Sequence, residues 1–107
     1  MKLIIAVVQD RDSNRLSRAL VRENLRVTKL ASTGGFLREG NTTFLIGVDD
    51  DQVEKVLRII RENSRIRKSW ITSHMGAGTE GDGSYPVEVQ VGGATVFVLS
   101  VERFEHY

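Results

Sequence analysis

The chain has 107 residues, among them 10 Gly, 1 Pro and no Cys. Its 15 basic and 14 acidic side chains leave a net charge of +1, and 40% of the residues are hydrophobic. These values exclude a disordered chain, a polybasic nucleic-acid coat, a disulfide scaffold and a thiolate metal site, and they fit one domain over residues 1–107.

Residues 2–8 are apolar and β-branched, which predicts a buried strand. The apolar run is far short of the ~20 residues of a spanning helix and lacks the features of a signal peptide. A cytoplasmic protein with no membrane insertion is the expectation. Asp10, Asp12 and Ser13 offer helix N-caps. Leu16, Ala19 and Leu20 follow at the spacing of one helical face, with Arg15, Arg18 and Arg22 outside it. Residues 26–31 return to a strand pattern. Turn signals at Thr33-Gly34-Gly35 and Glu39-Gly40-Asn41 flank Phe36 and Leu37. A third strand is predicted over 42–48.

Asp49, Asp50 and Asp51 open a second helix, and acids there complement the helix dipole more readily than they bind a metal. Asp51 and Glu54 have the spacing of a capping box. Asp51–Lys55 and Glu54–Arg58 are favourable four-apart pairs. Val53, Val56, Leu57 and Ile60 form the apolar stripe. Residues 65–85 carry the weakest pattern for regular structure. Residues 87–91 alternate as a strand, Gly92-Gly93 reads as a hairpin turn, residues 94–101 form the last strand and 102–107 a polar-aromatic tail.

The order β-α-β, β-α-β plus one strand predicts an α+β, ferredoxin-like split βαβ sandwich with an extra C-terminal hairpin strand. Two helices cover one face of such a sheet. Residues 3–8, 44–46 and 96–99 are apolar on both faces, so the second face requires another subunit. An obligate oligomer follows from the pattern alone.

No catalytic constellation stands out. His74 and His106 are too few and too far apart for a metal motif, and no serine lies in a nucleophile elbow. The chain is therefore read as a non-enzyme with no catalytic residue, no metal and no cofactor. Gly76-Ala77-Gly78-Thr79-Glu80-Gly81 spells a dinucleotide fingerprint, but that motif needs a helix directly after it. Asp82-Gly83-Ser84-Tyr85-Pro86 cannot start one, so the match is taken as chance. Asn41-Thr42-Thr43 is a glycosylation sequon without a secretion signal.

Residues 24–47 are more informative. Arg26 and Thr28 lie two apart on a strand and share a face. Gly34-Gly35 can turn backbone N–H groups toward an anion. Phe36 offers a stacking surface and Asn41 a donor–acceptor pair suited to an adenine edge. These are the parts of a purine-nucleotide site. They are equally the parts of a hairpin with turn glycines and a solvated arginine, and the residues alone leave both open.

The stretches Lys2-Leu3-Ile4-Ile5-Ala6-Val7-Val8-Gln9-Asp10, Arg26-Val27-Thr28-Lys29-Leu30-Ala31, Thr33-Gly34-Gly35-Phe36-Leu37, Gly40-Asn41-Thr42-Thr43-Phe44 and Val91-Gly92-Gly93-Ala94-Thr95-Val96-Phe97-Val98 resemble the PII-like cyclic-di-AMP receptor family (DarA/PstA). The resemblance covers nearly the whole chain, apart from residues near 65–85 and the last few. It implies a PII-like homotrimer that holds one cyclic-di-AMP in each of three intersubunit clefts and signals to an unknown downstream protein. By position, Asn24, Arg26, Val27 and Thr28 would line one wall. Gly35, Phe36, Leu37 and Asn41 would contact base and phosphate, Gly47 would lie where the strand comes close, and Phe97 would pack on the ligand. Residues 33–41 would be a short T-loop and 66–85 a long, flexible B-loop. A PII-type sensor of ATP or another adenine nucleotide is the alternative. A nucleotide-processing enzyme or a purely structural trimer are rivals that fold alone does not separate.

Overall fold

The computed structural model of the chain describes residues 1–30, 40–74 and 84–107. Strand β1 (Lys2–Gln9) runs straight into helix α1 (Asp10–Arg22), followed by β2 (Val27–Leu30) and β3 (Asn41–Val48). A single 3-10 turn (Asp50–Gln52) precedes α2 (Val53–Ser64). The strands β4 (Arg67–His74), β5 (Ser84–Val91) and β6 (Ala94–Ser100) follow.

Four strands form an antiparallel sheet in the order β2-β3-β1-β6. Side chains alternate between its faces. Ile4, Ala6 and Val8 of β1 and Phe44, Ile46 and Val48 of β3 are buried on one face, against Leu16 and Leu20 of α1 and Val56, Ile59 and Ile60 of α2. Both helices therefore lie on one side, as the ferredoxin-like pattern requires. No helix among the described residues is long and apolar enough to cross a membrane.

The opposite face carries Leu3, Ile5, Leu45, Phe97 and Leu99, which occupy matching rows of the ladder. Phe97 and Leu99 are each 46% exposed. The apolar second face read from the sequence is thus present, and neither helix covers it.

Two expectations are corrected. Residues 67–74 form a strand, within the stretch that reads as least regular. β4 pairs with β5 from Arg67 opposite Val91 to His74 opposite Ser84, as a two-stranded sheet of its own. Residues 87–91 consequently have no place in the main sheet, and the final strand takes the position beside β1. The composition explains the exchange. Val96-Phe97-Val98-Leu99 is continuously apolar and suits the place beside the buried β1, whereas Val87-Glu88-Val89-Gln90 alternates and suits an exposed ribbon. Gly92-Gly93 is then no hairpin turn. With φ of +87° and +96°, the two glycines swing the chain from the ribbon into the main sheet.

Among the described residues the ribbon packs on no other element to a comparable extent. The Cα radius of gyration is 17.8 Å, against about 13 Å for a compact domain of this length.

Helix ends also differ from expectation. Neither helix receives a side-chain N-cap, so the Asp51–Glu54 box is not made. Asp50 instead holds the Met1 amine at 3.1 Å, and that hydrogen bond and charge keep its carboxyl below the usual carboxylate value. The Lys55 ammonium reaches Glu23, the residue just after α1, at 3.4 Å rather than Asp51.

Candidate functional site

Residues Val7–Arg11, at the end of β1 and the start of α1, form the floor of a cleft of about 780 Å³. Gly40 and Asn41 bound it at the start of β3, and residues 89–95 wall it where the ribbon enters the sheet. Three local bonds shape the floor. The Asp10 N–H donates to the Gly40 carbonyl at 3.0 Å, and the Thr42 hydroxyl donates to Asp10 Oδ1 at 2.6 Å. Gln9 Oε1 accepts the Gly92 N–H at 2.7 Å. The Gly40 φ of +81° turns the chain into β3 and sets Asn41 opposite Gln9. An exposed guanidinium (Arg11) and a half-buried amide (Asn41) give this cleft the chemistry to hold an anion and a polar ring edge.

The residues expected to bind ligand separate into groups. Asn24 adopts φ 60° and ends α1. The Asn24 N–H donates to the Val21 carbonyl at 2.9 Å and the Leu25 N–H to the Leu20 carbonyl at 3.3 Å, a Schellman closure that asparagine tolerates at the left-handed position. Its side chain is exposed, as are those of Arg26 and Thr28. Val27 faces the other way and packs against the core beside Ile46, so its side chain does not share the wall with Thr28.

Gly47 lies opposite Leu3 on the uncovered face, two positions along β3 from Leu45, the partner of Thr28. A Cβ there would meet only Met1 Cε at 3.4 Å, so packing within the subunit does not demand glycine. Phe97 shares a row with Ile5, Leu45 and Thr28, but from the opposite edge strand. Three strand spacings separate Thr28 from Phe97, about 14 Å. Asn41 belongs to the cleft. Gly35, Phe36 and Leu37 lie outside the described residues, as does the fingerprint at 76–81.

A carboxylate that reads as a cap has another role. Asp12 is wholly buried, and Arg67 grips it with both arms, Nη2 to Oδ1 at 2.7 Å and Nη1 to Oδ2 at 3.2 Å. Arg15 adds Nη2 to Oδ1 at 2.8 Å and also donates to the Asn63 carbonyl at 2.7 Å. The hydrogen bonds that Arg67 donates to Asp12 raise the Arg67 pKa further, with desolvation opposing them. Only the three-apart spacing of Asp12 and Arg15 could have signalled part of this. Arg67 is 55 residues away. In the tail, the Tyr107 hydroxyl and the Arg103 guanidinium donate to Glu105 and hold its carboxyl below the usual range, which in turn raises the Tyr107 phenol.

A family model described as Cyclic-di-AMP receptor matches residues 1–107. A crystal structure of a functionally unknown protein from Pediococcus pentosaceus is similar over 99% of this chain and 96% of that chain, with 48% sequence identity and a TM-score of 0.79. The resemblance carried by residues 2–10, 26–44 and 91–98 is thus matched by a whole-chain assignment. The chain belongs to the cyclic-di-AMP receptor family.

Proposed function

We propose that this chain is a non-enzymatic cytoplasmic receptor. Three copies form a homotrimer that binds cyclic-di-AMP in the clefts between neighbours and passes the signal on by loop reorganisation. Family membership supports cyclic-di-AMP binding and a signalling role, and it does not favour an ATP sensor. The observation behind an intersubunit site is the uncovered apolar face, with Thr28 and Phe97 on opposite edge strands. When two copies meet edge to edge, Phe97 of one subunit comes beside the Arg26–Thr28 wall of the next. Gly35, Phe36 and Leu37 then contact the ligand from the 33–41 segment, Asn41 reaches a base edge, and Gly47 leaves space where a side chain would intrude. Loop reorganisation at 33–41 and at the far end of the β4–β5 ribbon creates the surface read by a downstream protein.

A thermal-shift panel with cyclic-di-AMP, cyclic-di-GMP, ATP and AMP tests the ligand. At 100 times its dissociation constant a ligand stabilises by about 2.7 kcal/mol, which raises the melting temperature by several degrees. The expected result is a shift with cyclic-di-AMP only. A shift with ATP only would sink the proposal. Assembly is tested separately by sedimentation velocity. Wild type should run as a trimer, and a Phe97→Asp, Leu99→Asp double variant as a monomer with unchanged far-UV circular dichroism. A monomeric wild type removes the intersubunit site.

A further inference from the structure

The β5 strand of the ribbon forms one wall of the cleft, yet among the described residues the ribbon is held only at its base. A two-stranded ribbon alone is marginally stable and turns easily about its attachment. Three ties occur at that base, made by Arg67 itself and by the two residues that follow its ladder partner Val91. The Gly92 N–H binds Gln9 Oε1 at 2.7 Å, and the Gly93 N–H binds the Ser64 carbonyl. The third is the fork between Arg67 and the buried Asp12.

The first two ties hold the connection into β6. Among the described residues only the third holds β4. It joins the first residue of that strand to the first turn of α1, one residue beyond Arg11 on the cleft floor. Floor and wall are therefore coupled through one carboxylate that is not itself among the cleft-lining residues.

We infer that Asp12 and Arg67 are positioning residues, which set the angle of the ribbon over the cleft and so govern ligand affinity without touching the ligand. The affinity part rests on the proposal that the cleft beside Asn41 belongs to the cyclic-di-AMP site. The fork is what suits the pair to this task. Two parallel N–H···O bonds fix an orientation, which a single ammonium contact does not. Arg15 holds the same carboxylate from α1 and the end of α2, so Asp12 is braced on the core side before Arg67 reaches it.

The chain carries its own reporter. Trp70 is its only tryptophan, sits on β4 three residues from Arg67, and is 66% exposed. The test uses the full chain with Arg67→Gln and Arg67→Lys. Arg67 is about one-third exposed, so its replacement opens no cavity in the core. Without ligand, Arg67→Gln should shorten the local rotational correlation time of Trp70 in time-resolved fluorescence anisotropy. It should also speed amide hydrogen exchange over 67–70 and 86–91, while residues 4–8 of β1 exchange at the wild-type rate. Cyclic-di-AMP affinity should fall about tenfold, within the range usual for coupling between separate positions. Arg67→Lys keeps the charge but not the fork, and should recover the exchange rates in part and the affinity less.

A general loss of stability would accelerate β1 and the ribbon together, and that outcome overturns the inference. So does an Arg67→Gln protein with unchanged Trp70 anisotropy, or one with a loosened ribbon and wild-type affinity. If wild type itself fails to bind cyclic-di-AMP, the ligand proposal falls, while anisotropy and exchange still decide whether the pair sets the ribbon.

Discussion

Gly92→Ala should lower the stability of the fold by about 2–5 kcal/mol, the sum of left-handed backbone strain of about 1–2 kcal/mol and overpacking of about 1–3 kcal/mol. The residue has φ +87°, and a Cβ there would press on the Arg65 carbonyl oxygen and stand 2.6 Å from Arg67 Nη1. The carbonyl is backbone and cannot swing aside. Relief would require the Arg65–Arg67 segment to move, which disturbs the fork to Asp12 and the bond from the Gly92 N–H to Gln9 together. Gly40→Ala is the matched comparison. Its φ is +81°, but nothing lies within 4 Å of an added Cβ, so only the strain of about 1–2 kcal/mol applies. Guanidinium denaturation of both variants measures the difference. Equal losses would show that the close approach at Gly92 costs nothing.

Arg26→Ala should reduce cyclic-di-AMP affinity about ten- to hundred-fold. A hydrogen bond to a charged group is worth about 1.5–3 kcal/mol, and each 1.4 kcal/mol is a factor of ten. Arg26 is exposed just ahead of β2 and alternates with Thr28 toward the uncovered face. It forms no ion pair among the described residues, so the fold should tolerate its removal and the melting temperature without ligand should hold. Isothermal titration on refolded, trimer-checked protein gives the affinity. Gly78→Ala, in the fingerprint-like segment, should bind as wild type does. Wild-type affinity in Arg26→Ala takes that arginine out of the site, and a large loss in Gly78→Ala would restore the dinucleotide-fold interpretation of residues 76–81.

Periodicity made the core legible. Leu16 and Leu20, then Val56 and Ile60, stand at helical spacing and are buried as read, and the two-faced apolarity of β1 and β3 pointed to a missing cover. Ile59 escaped because it neighbours the stripe rather than continuing it. The ribbon was hidden for a different reason. Arg67-Lys68-Ser69-Trp70 offers little apolar alternation, since both its faces are at most half-buried. Gly92-Gly93 has the positive φ values that such a dipeptide suggests. Local sequence sets that backbone bend, but the strand that pairs beyond it is chosen by burial across the sheet. Asp12 shows the same limit at the level of one side chain. A carboxylate in a first helical turn has a sufficient local explanation in the dipole, and nothing nearby announces a partner on another element. Of the contacts that the family resemblance implied, Thr28, Gly47 and Phe97 lie on the uncovered face, whereas the Val27 side chain turns to the core.

The central place of β1 has a consequence for how the protein is made. Its two ladder partners are β3 and β6, and Lys2 stands against Ser100, 98 positions later, with a bond from its Nζ to the serine hydroxyl at 2.9 Å. Such long separations slow folding, because the closure entropy precedes the pairing it permits. β1 is synthesised long before β6, so one of its edges waits until residues 94–100 have been made. Until then an apolar edge is open to any passing strand, the hazard that chaperones manage. Nonsense mutations anywhere before residue 94 leave β1 half-paired and prone to aggregate.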